Sequence, residues 1–268
     1  MYGTSASISA LWTDGTNDGR KVQNMRYVIS DIHGCYAEYL ELLDKIHFSD
    51  RDELYVLGDA MDRGPDPIKV IQDLMMRSNV VYVVGNHDYM MLRTLKKLAV
   101  EITEENYRTH LTSEDFQNWY YWMQDGGRVT ADQFRVLPRD EQWEILDYLG
   151  DAQVYALLED RGRQFIMVHA GLRGFKEYKA LDEYDVSDFI FKRTDYNKRY
   201  YQDPGKIVVT GHTPTLLIRP DGLPLIYQGN GQIALDCGCV FGGNLAAYCI
   251  ETEETVYVKS RQQRVKKT

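Results

Sequence analysis

Asp59, Asp62 and Arg63 lie in Val56-Leu57-Gly58-Asp59-Ala60-Met61-Asp62-Arg63-Gly64, where a run of strand-forming residues empties into a turn with two carboxylates and a guanidinium between glycines. Carboxylates so placed can hold a cation and the guanidinium an anion; unpaired, such charges are expensive to bury in an apolar core. Four further turns repeat the pattern. Tyr27-Val28-Ile29 leads into Ser30-Asp31-Ile32-His33-Gly34, residues 80–84 into Gly85-Asn86-His87-Asp88, residues 165–168 into His169-Ala170-Gly171, and residues 207–209 into Gly211-His212-Thr213. Of the six histidines, His33, His87, His169 and His212 sit in these turns, while His47 and His110 read as ordinary surface or helix positions. Four histidines placed alike, alternating with Asp and Asn, argue for one shared site. Imidazole, carboxylate and amide donors without a thiolate suit manganese, iron or zinc, and there are more donors than one ion needs. Two such ions about 3.5 to 4 Å apart can activate a water at neutral pH and hold both oxygens of an in-line phosphoryl displacement. Arg63 is the forked partner a tetrahedral phosphate requires.

Positioning these turns falls to the elements around them. From Arg26 the chain reads strand, loop, helix: Tyr36, Leu40, Leu43 and Ile46 recur at helical spacing, Pro67 opens a helix with Ile68, Ile71 and Leu74 inward, and a helix follows Tyr89. Three such units predict a largely parallel sheet, with the site beyond the carboxyl ends of its strands. Between about 101 and 149 strands vanish, and a helical insertion is expected whose aromatics, among them Trp119-Tyr120-Tyr121-Trp122, form a small core of their own. Residues 154–159 and 164–168 read as a hairpin joined by the four residues 160–163, and residues 245–251 and 255–259 as a meander.

The length of 268 residues, with 44% hydrophobic and 26% charged residues, describes one globular domain, expected over 25–260. Residues 1–24, polar and without periodicity, are expected to be a disordered extension, and 261–268 a basic tail. A net charge of −9 argues against nucleic acid as a partner. Four cysteines without zinc-ribbon spacing, no membrane-length apolar run and no signal peptide give a cytoplasmic protein, read as a monomer because no heptad run appears.

Taken in order, Asp31-x-His33-Gly34, Gly58-Asp59-x-x-Asp62-Arg63-Gly64, Gly85-Asn86-His87-Asp88, His169-Ala170-Gly171 and Gly211-His212-Thr213 resemble the calcineurin-like metallophosphoesterases, in particular the phosphoprotein phosphatase branch with its bacterial and phage lambda-type serine/threonine phosphatases. Trp122-x-x-x-Gly126-Gly127 with Thr130, and Asp236-Cys237-Gly238 with Gly242-Gly243, are similar to bacterial members. The resemblance implies an α/β fold in which a two-sheet β-sandwich is flanked by helices in four αββα layers. It also implies two divalent ions, manganese first with iron or zinc as alternatives. Asp31 and His33 would hold the first, Asp59 would bridge, and Asn86, His169 and His212 would hold the second. His87 would be the proton donor, oriented by Asp62, with Arg63 on the phosphate and Arg193 as a second phosphate-binding arginine, a looser match. The implied activity is hydrolysis of phosphomonoesters on protein serine or threonine, with tyrosine as a further acceptor, by a metal-activated water.

Two alternatives stand beside it. Hydrolases of diadenosine tetraphosphate share most of these motifs; in the symmetrically cleaving kind the position of Asp62 is often not Asp, which favours the phosphomonoesterase. A metal-binding scaffold without turnover is the non-enzymatic alternative, opposed by the presence of His87, Asp62 and Arg63 together, since folding does not need them.

Overall fold

The computed structural model describes residues 24–101, 103–106 and 110–263. Most of the expected N-terminal extension, and Arg264, Lys266 and Lys267 of the basic tail, lie outside them. Among the described residues no helix is long and apolar enough to cross a membrane.

In chain order the elements are β1 (Arg26–Ile29), α1 (Tyr36–Lys45), β2 (Glu53–Val56), α2 (Pro67–Met75), β3 (Val80–Tyr82), α3 (Asn86–Ala99), α4 (Ser113–Trp122), α5 (Arg128–Phe134), α6 (Arg139–Gly150), β4 (Tyr155–Asp160), β5 (Arg163–Val168), α7 (Val186–Ile190), β6 (Lys206–Thr210), β7 (Tyr227–Gly229), β8 (Gln232–Ala234), β9 (Asn244–Cys249) and β10 (Thr255–Lys259). They build two five-stranded sheets, ordered β10-β9-β1-β2-β3 and β4-β5-β6-β8-β7. β1, β2 and β3 run parallel, as do β5, β6 and β8; β9 pairs antiparallel with β1 and β10 antiparallel with β9, while β4 and β7 pair antiparallel at the two edges of the second sheet.

The strand sequences dictate the layering. Neighbouring side chains on a strand point to opposite faces, and here both faces are buried: Val28 looks into the space between the sheets and Ile29 toward the helices, Phe165 and Met167 inward and Ile166 and Val168 outward, Val209 inward and Val208 outward. That is why these strands read as near-continuous apolar runs. The inter-sheet core holds Val28, Tyr55, Leu57, Phe165, Met167, Val209, Ile233 and Tyr248. Outside the first sheet lie α1, α2, α3, α5 and α6; outside the second lie α7 and the segment around Tyr184 and Tyr201. Helix layer, sheet, sheet, helix layer is the predicted αββα sandwich.

Two local readings differ from the structure. The aromatic helical stretch has no core of its own: Trp122, Phe134, Ile145, Leu146 and Leu149 join the helix layer of the first sheet, while Phe116, Trp119, Tyr120 and Tyr121 are exposed. Periodicity alone does not say which neighbour a helix buries its face against. The β4–β5 connection is a two-residue turn at Arg161-Gly162, with φ of 47° and 75° suited to a primed hairpin turn, rather than four residues. The β9–β10 meander is present as expected and pairs with β1, and Arg26 locks it there, donating to Glu251 from Nε at 2.5 Å and to Asp160 of the second sheet from Nη2 at 2.7 Å.

Phe165 is fully buried between the sheets. Phe165→Ala is therefore expected to cost about 3–5 kcal/mol, read as a lower urea midpoint with an unchanged slope; a loss below about 1 kcal/mol would mean the sheets are not packed through this residue.

Candidate active site

Each turn singled out in the sequence leaves the carboxyl end of a strand: Asp31 and His33 after β1, Asp59 to Arg63 after β2, Asn86 and His87 at the start of α3 beyond β3, His169 after β5, His212 after β6 and Asp236 after β8. The two sheets present these ends to one another. Six of the ten described non-glycine residues with positive φ are here, namely Asp31, His33, Asp59, Asp62, Arg63 and His212, with φ between 44° and 68°. Such conformations persist only where surroundings hold them, and the loops are laced together: Asp31 N donates to Gly58 O at 3.1 Å, His33 N to Asp59 O at 2.9 Å, and Gly211 N to His169 O at 2.8 Å. Gly85 is required by proximity, since a Cβ there would stand 2.1 Å from Asp59 Oδ1.

Asp59 is at the centre. Its Oδ1 accepts from His87 N at 3.0 Å, and its Oδ2 stands 3.5 Å from His33 Nε2 and 3.4 Å from His169 Nε2. Asn86 Oδ1 is 2.9 Å from His169 Nε2 and 2.8 Å from His212 Nδ1. Asp31 accepts the backbone N–H of His212 at 2.9 and 3.1 Å. The six residues expected as ligands, Asp31, His33, Asp59, Asn86, His169 and His212, are thus brought together.

The donor set fits divalent cations. His33 Nδ1 faces Met61 O at 2.8 Å and His169 Nδ1 faces Leu57 O at 2.7 Å, so in each ring Nδ1 carries the proton and Nε2 is turned toward the site, the usual orientation of a ligating imidazole. Two donor groups, His33 with Asp59 and His87, and Asp59 with His169 and His212, have ligand atoms within 4.8 Å of one another and share Asp59. Burial and the neighbouring carboxylates Asp236 and Asp59 push Asp31 well above the ordinary range; burial and Asp59 raise Asp236 to about 6. Carboxylates crowded in this way are stabilised by a shared dication.

A second constellation holds the proposed acid. His87 Nδ1 bonds Asp62 Oδ2 at 2.8 Å; Asp62 is fully buried, and Trp122 Nε1 donates to the same oxygen at 2.7 Å while Thr130 Oγ1 donates to Oδ1 at 2.6 Å. Burial opposes a charged imidazole, but Asp59, Asp125 and Asp62 outweigh it and raise His87 to about 10. Its Nε2 faces Asp125 Oδ2 at 3.3 Å, and Asp125 Oδ1 also takes Arg63 Nη2 at 2.8 Å, while Arg63 Nη1 donates to His33 Nε2 at 2.8 Å. Arg63 is therefore inside the constellation. Arg193 stands exposed at its edge, near enough for its charge to lower the pKa of His212.

Sequence reasoning assigned no role to Asp88, Asp125 or Asp236, nor to Trp122 and Thr130 beyond their place in motifs. Asp88 Oδ2 accepts from Asp59 N, Gly85 N and Tyr82 Oη at 2.8 to 2.9 Å, fixing the central loop to the start of α3. Only its place in Gly85-Asn86-His87-Asp88 signalled it.

Residues 26–216 match the family model described as calcineurin-like phosphoesterase. The chain is 31% identical over 263 residues to the bis(5'-nucleosyl)-tetraphosphatase PrpE (asymmetrical) of Geobacillus sp. strain WCH70, covering 87% of this chain and 93% of that one. It is 27% identical to the symmetrical bis(5'-nucleosyl)-tetraphosphatase of Erwinia tasmaniensis, over 89% of this chain and 98% of the other. A crystal structure of a putative diadenosine tetraphosphatase superposes with a TM-score of 0.61 at 22% identity, over 90% of this chain and 96% of that one.

His87→Asn is expected to lower turnover by about 10²- to 10⁴-fold with bound metal near the wild-type content, whereas Asp59→Asn lowers both; equal metal loss in the two, measured by elemental mass spectrometry, would show their roles are misassigned. Thr130→Val removes the hydroxyl that Asp62 both donates to and accepts from, and should cost about 1–3 kcal/mol of stability without changing metal content. A variant as stable as wild type would contradict that support.

Proposed function

The chain belongs to the calcineurin-like phosphoesterase family, and from that premise we propose that it hydrolyses bis(5'-nucleosyl) tetraphosphates asymmetrically, releasing a nucleoside triphosphate and a nucleoside monophosphate. The observation that carries this reading is the near end-to-end likeness to relatives named for that activity, four of which match at 29–31% identity over 87–89% of the chain. The expected serine/threonine phosphoprotein phosphatase is thereby corrected. The physical reason is that the residues behind that expectation, Asp62, His87 and Arg63, would meet only the phosphoryl group and the leaving oxygen, which both substrate classes share.

Asp31, His33 and Asp59 would hold one cation and Asp59, Asn86, His169 and His212 the other, with manganese first and iron or zinc as alternatives for this mixture of oxygen and nitrogen donors. Bound there, two dications supply Lewis acidity toward phosphoryl oxygens and a nucleophile at neutral pH. The chain's own residues do the rest. Arg63 presents Nη1 and Nη2 as a fork for the phosphoryl oxygens, giving up His33 Nε2 and Asp125 as it does so. His87, its Nδ1 held by Asp62, keeps a proton on Nε2 and delivers it to the departing polyphosphate oxygen. Asp62 stays in place as a buried support, because three donors, His87 Nδ1, Trp122 Nε1 and Thr130 Oγ1, hold its carboxylate.

With manganese present, diadenosine tetraphosphate should be cleaved to ATP and AMP with a higher kcat/KM than any member of a phosphoserine and phosphothreonine peptide panel, and thorough chelation should abolish the activity. Chromatography of the products decides the cleavage mode, two ADP indicating symmetrical attack. A preference for the phosphopeptides would overturn the reading.

A further inference from the structure

Arg63 is packed from one more side. Its Cζ lies 5.4 Å from the ring centroid of Phe241, and Phe241 is 39% exposed. Other exposed large apolar side chains, such as Phe116, Tyr120 and Tyr121, lie on α4. Phe241 instead stands beside the guanidinium that reaches His33 Nε2.

The ring is held on a stiff support. Cys239–Phe241 form a single 3₁₀ turn between Gly238 and Gly242, whose φ values of 68° and 83° allow the chain to reverse at both ends. Phe241 N donates to Gly238 O at 3.0 Å, Gly242 N to Cys239 O at 3.0 Å and Asn244 N to Cys237 O at 3.0 Å, and the last of these leads directly into β9. On the upstream side Asp236, itself in the carboxylate cluster, accepts Gly238 N at 2.8 Å. Cys239 is buried in the helix-layer core and anchors the turn. The open part of the ring is therefore fixed relative to the phosphate fork, and a preformed aromatic surface loses little on binding.

A nucleotide carries a charged phosphate and a flat π-surface separated by one ribose. An arginine that grips the first next to a rigid, open aromatic ring matches both, and stacking on such a ring tolerates any base. We propose that Phe241 is the stacking platform for the base of the nucleotide whose phosphate Arg63 holds, a nucleoside subsite of the active site. The proposal rests on the dinucleotide reading for its biological meaning, but its test does not require turnover.

Calorimetric binding of AMP and of ribose 5-phosphate, which is AMP without its base, to manganese-loaded protein isolates the ring's contribution. Wild-type protein should bind AMP more tightly. Phe241→Ala and Phe241→Leu should weaken AMP by on the order of ten- to a hundredfold and ribose 5-phosphate by no more than about twofold on the same scale, and Phe241→Trp should keep AMP binding. Phe241→Leu retains apolar packing against Arg63, so it separates stacking from support. Parallel weakening of both ligands would mean the ring only steadies Arg63 and would overturn the proposal, as would equal wild-type affinities or unchanged AMP binding in Phe241→Ala. Failure to cleave diadenosine tetraphosphate would count against the dinucleotide reading alone.

Discussion

Five aspartates of this site, Asp31, Asp59, Asp62, Asp88 and Asp236, are each 5% exposed or less, and among the described residues no lysine or arginine is buried with them. Each buried carboxylate costs several kcal/mol unless it is paired or hydrogen-bonded, and the way each is satisfied sorts the site into parts. Asp62 takes protein donors on both its oxygens and Asp88 takes three on Oδ2, its Oδ1 being left without a hydrogen-bond partner, and both act as fixed supports. Asp59 is surrounded by imidazoles. Asp31 and Asp236 take backbone donors, and burial pushes both upward from the ordinary carboxylate range, helped by Asp236 and Asp59 at Asp31 and by Asp59 at Asp236. Charge that the protein leaves to an outside partner is thus concentrated between β1, β2 and the second sheet, where a dication gains most.

The same constraint explains the fold's form. Holding six non-glycine residues in the left-handed region costs of order 1–3 kcal/mol each, and no single loop could offset that. The hydrogen bonds that do so run between loops, from the β1 turn to the β2 turn, from Arg63 N to Gly126 O and from the β6 turn to His169 O. Each loop is ordered only because the others are, so the two sheets must deliver their strand ends to one place. Buried runs on both strand faces and the Arg26 staple at the opposite end secure that delivery.

This division also marks what a sequence can disclose. Strand, turn and helix alternation shows in local composition, so β1 to β3 and the turns bearing His33, Asp59, Asn86 and His169 were readable from spacing alone. The αββα layering came from the family resemblance, since periodicity reveals that a strand is buried on both faces without revealing a second sheet. Pairings across long separations left no local mark: Arg26 with Glu251 lies 225 residues apart in the chain, and Trp122 with Asp62 lies 60 apart. The aromatic stretch around Trp122 misled for that reason. One of its rings closes over Asp62 while its neighbours face solvent, and composition treats them alike.

Substrate choice was the part least available to motif reasoning, and the geometry explains why. Asp62 favoured a phosphomonoester only by analogy; in the structure it is a sealed support for an imidazole, and an oriented imidazole does not register whether the oxygen it protonates belongs to a serine or to a phosphate chain. Discrimination between such substrates requires contacts that one makes and the other lacks. Here those contacts must come from the rim, where Asp125, Arg193 and Phe241 are exposed. Of these, Asp125 already competes for Arg63 and His87, so any anion entering the fork must displace it. The motif turns fix the attack on phosphorus, and the rim, built from residues with little local signature, decides which molecule is attacked.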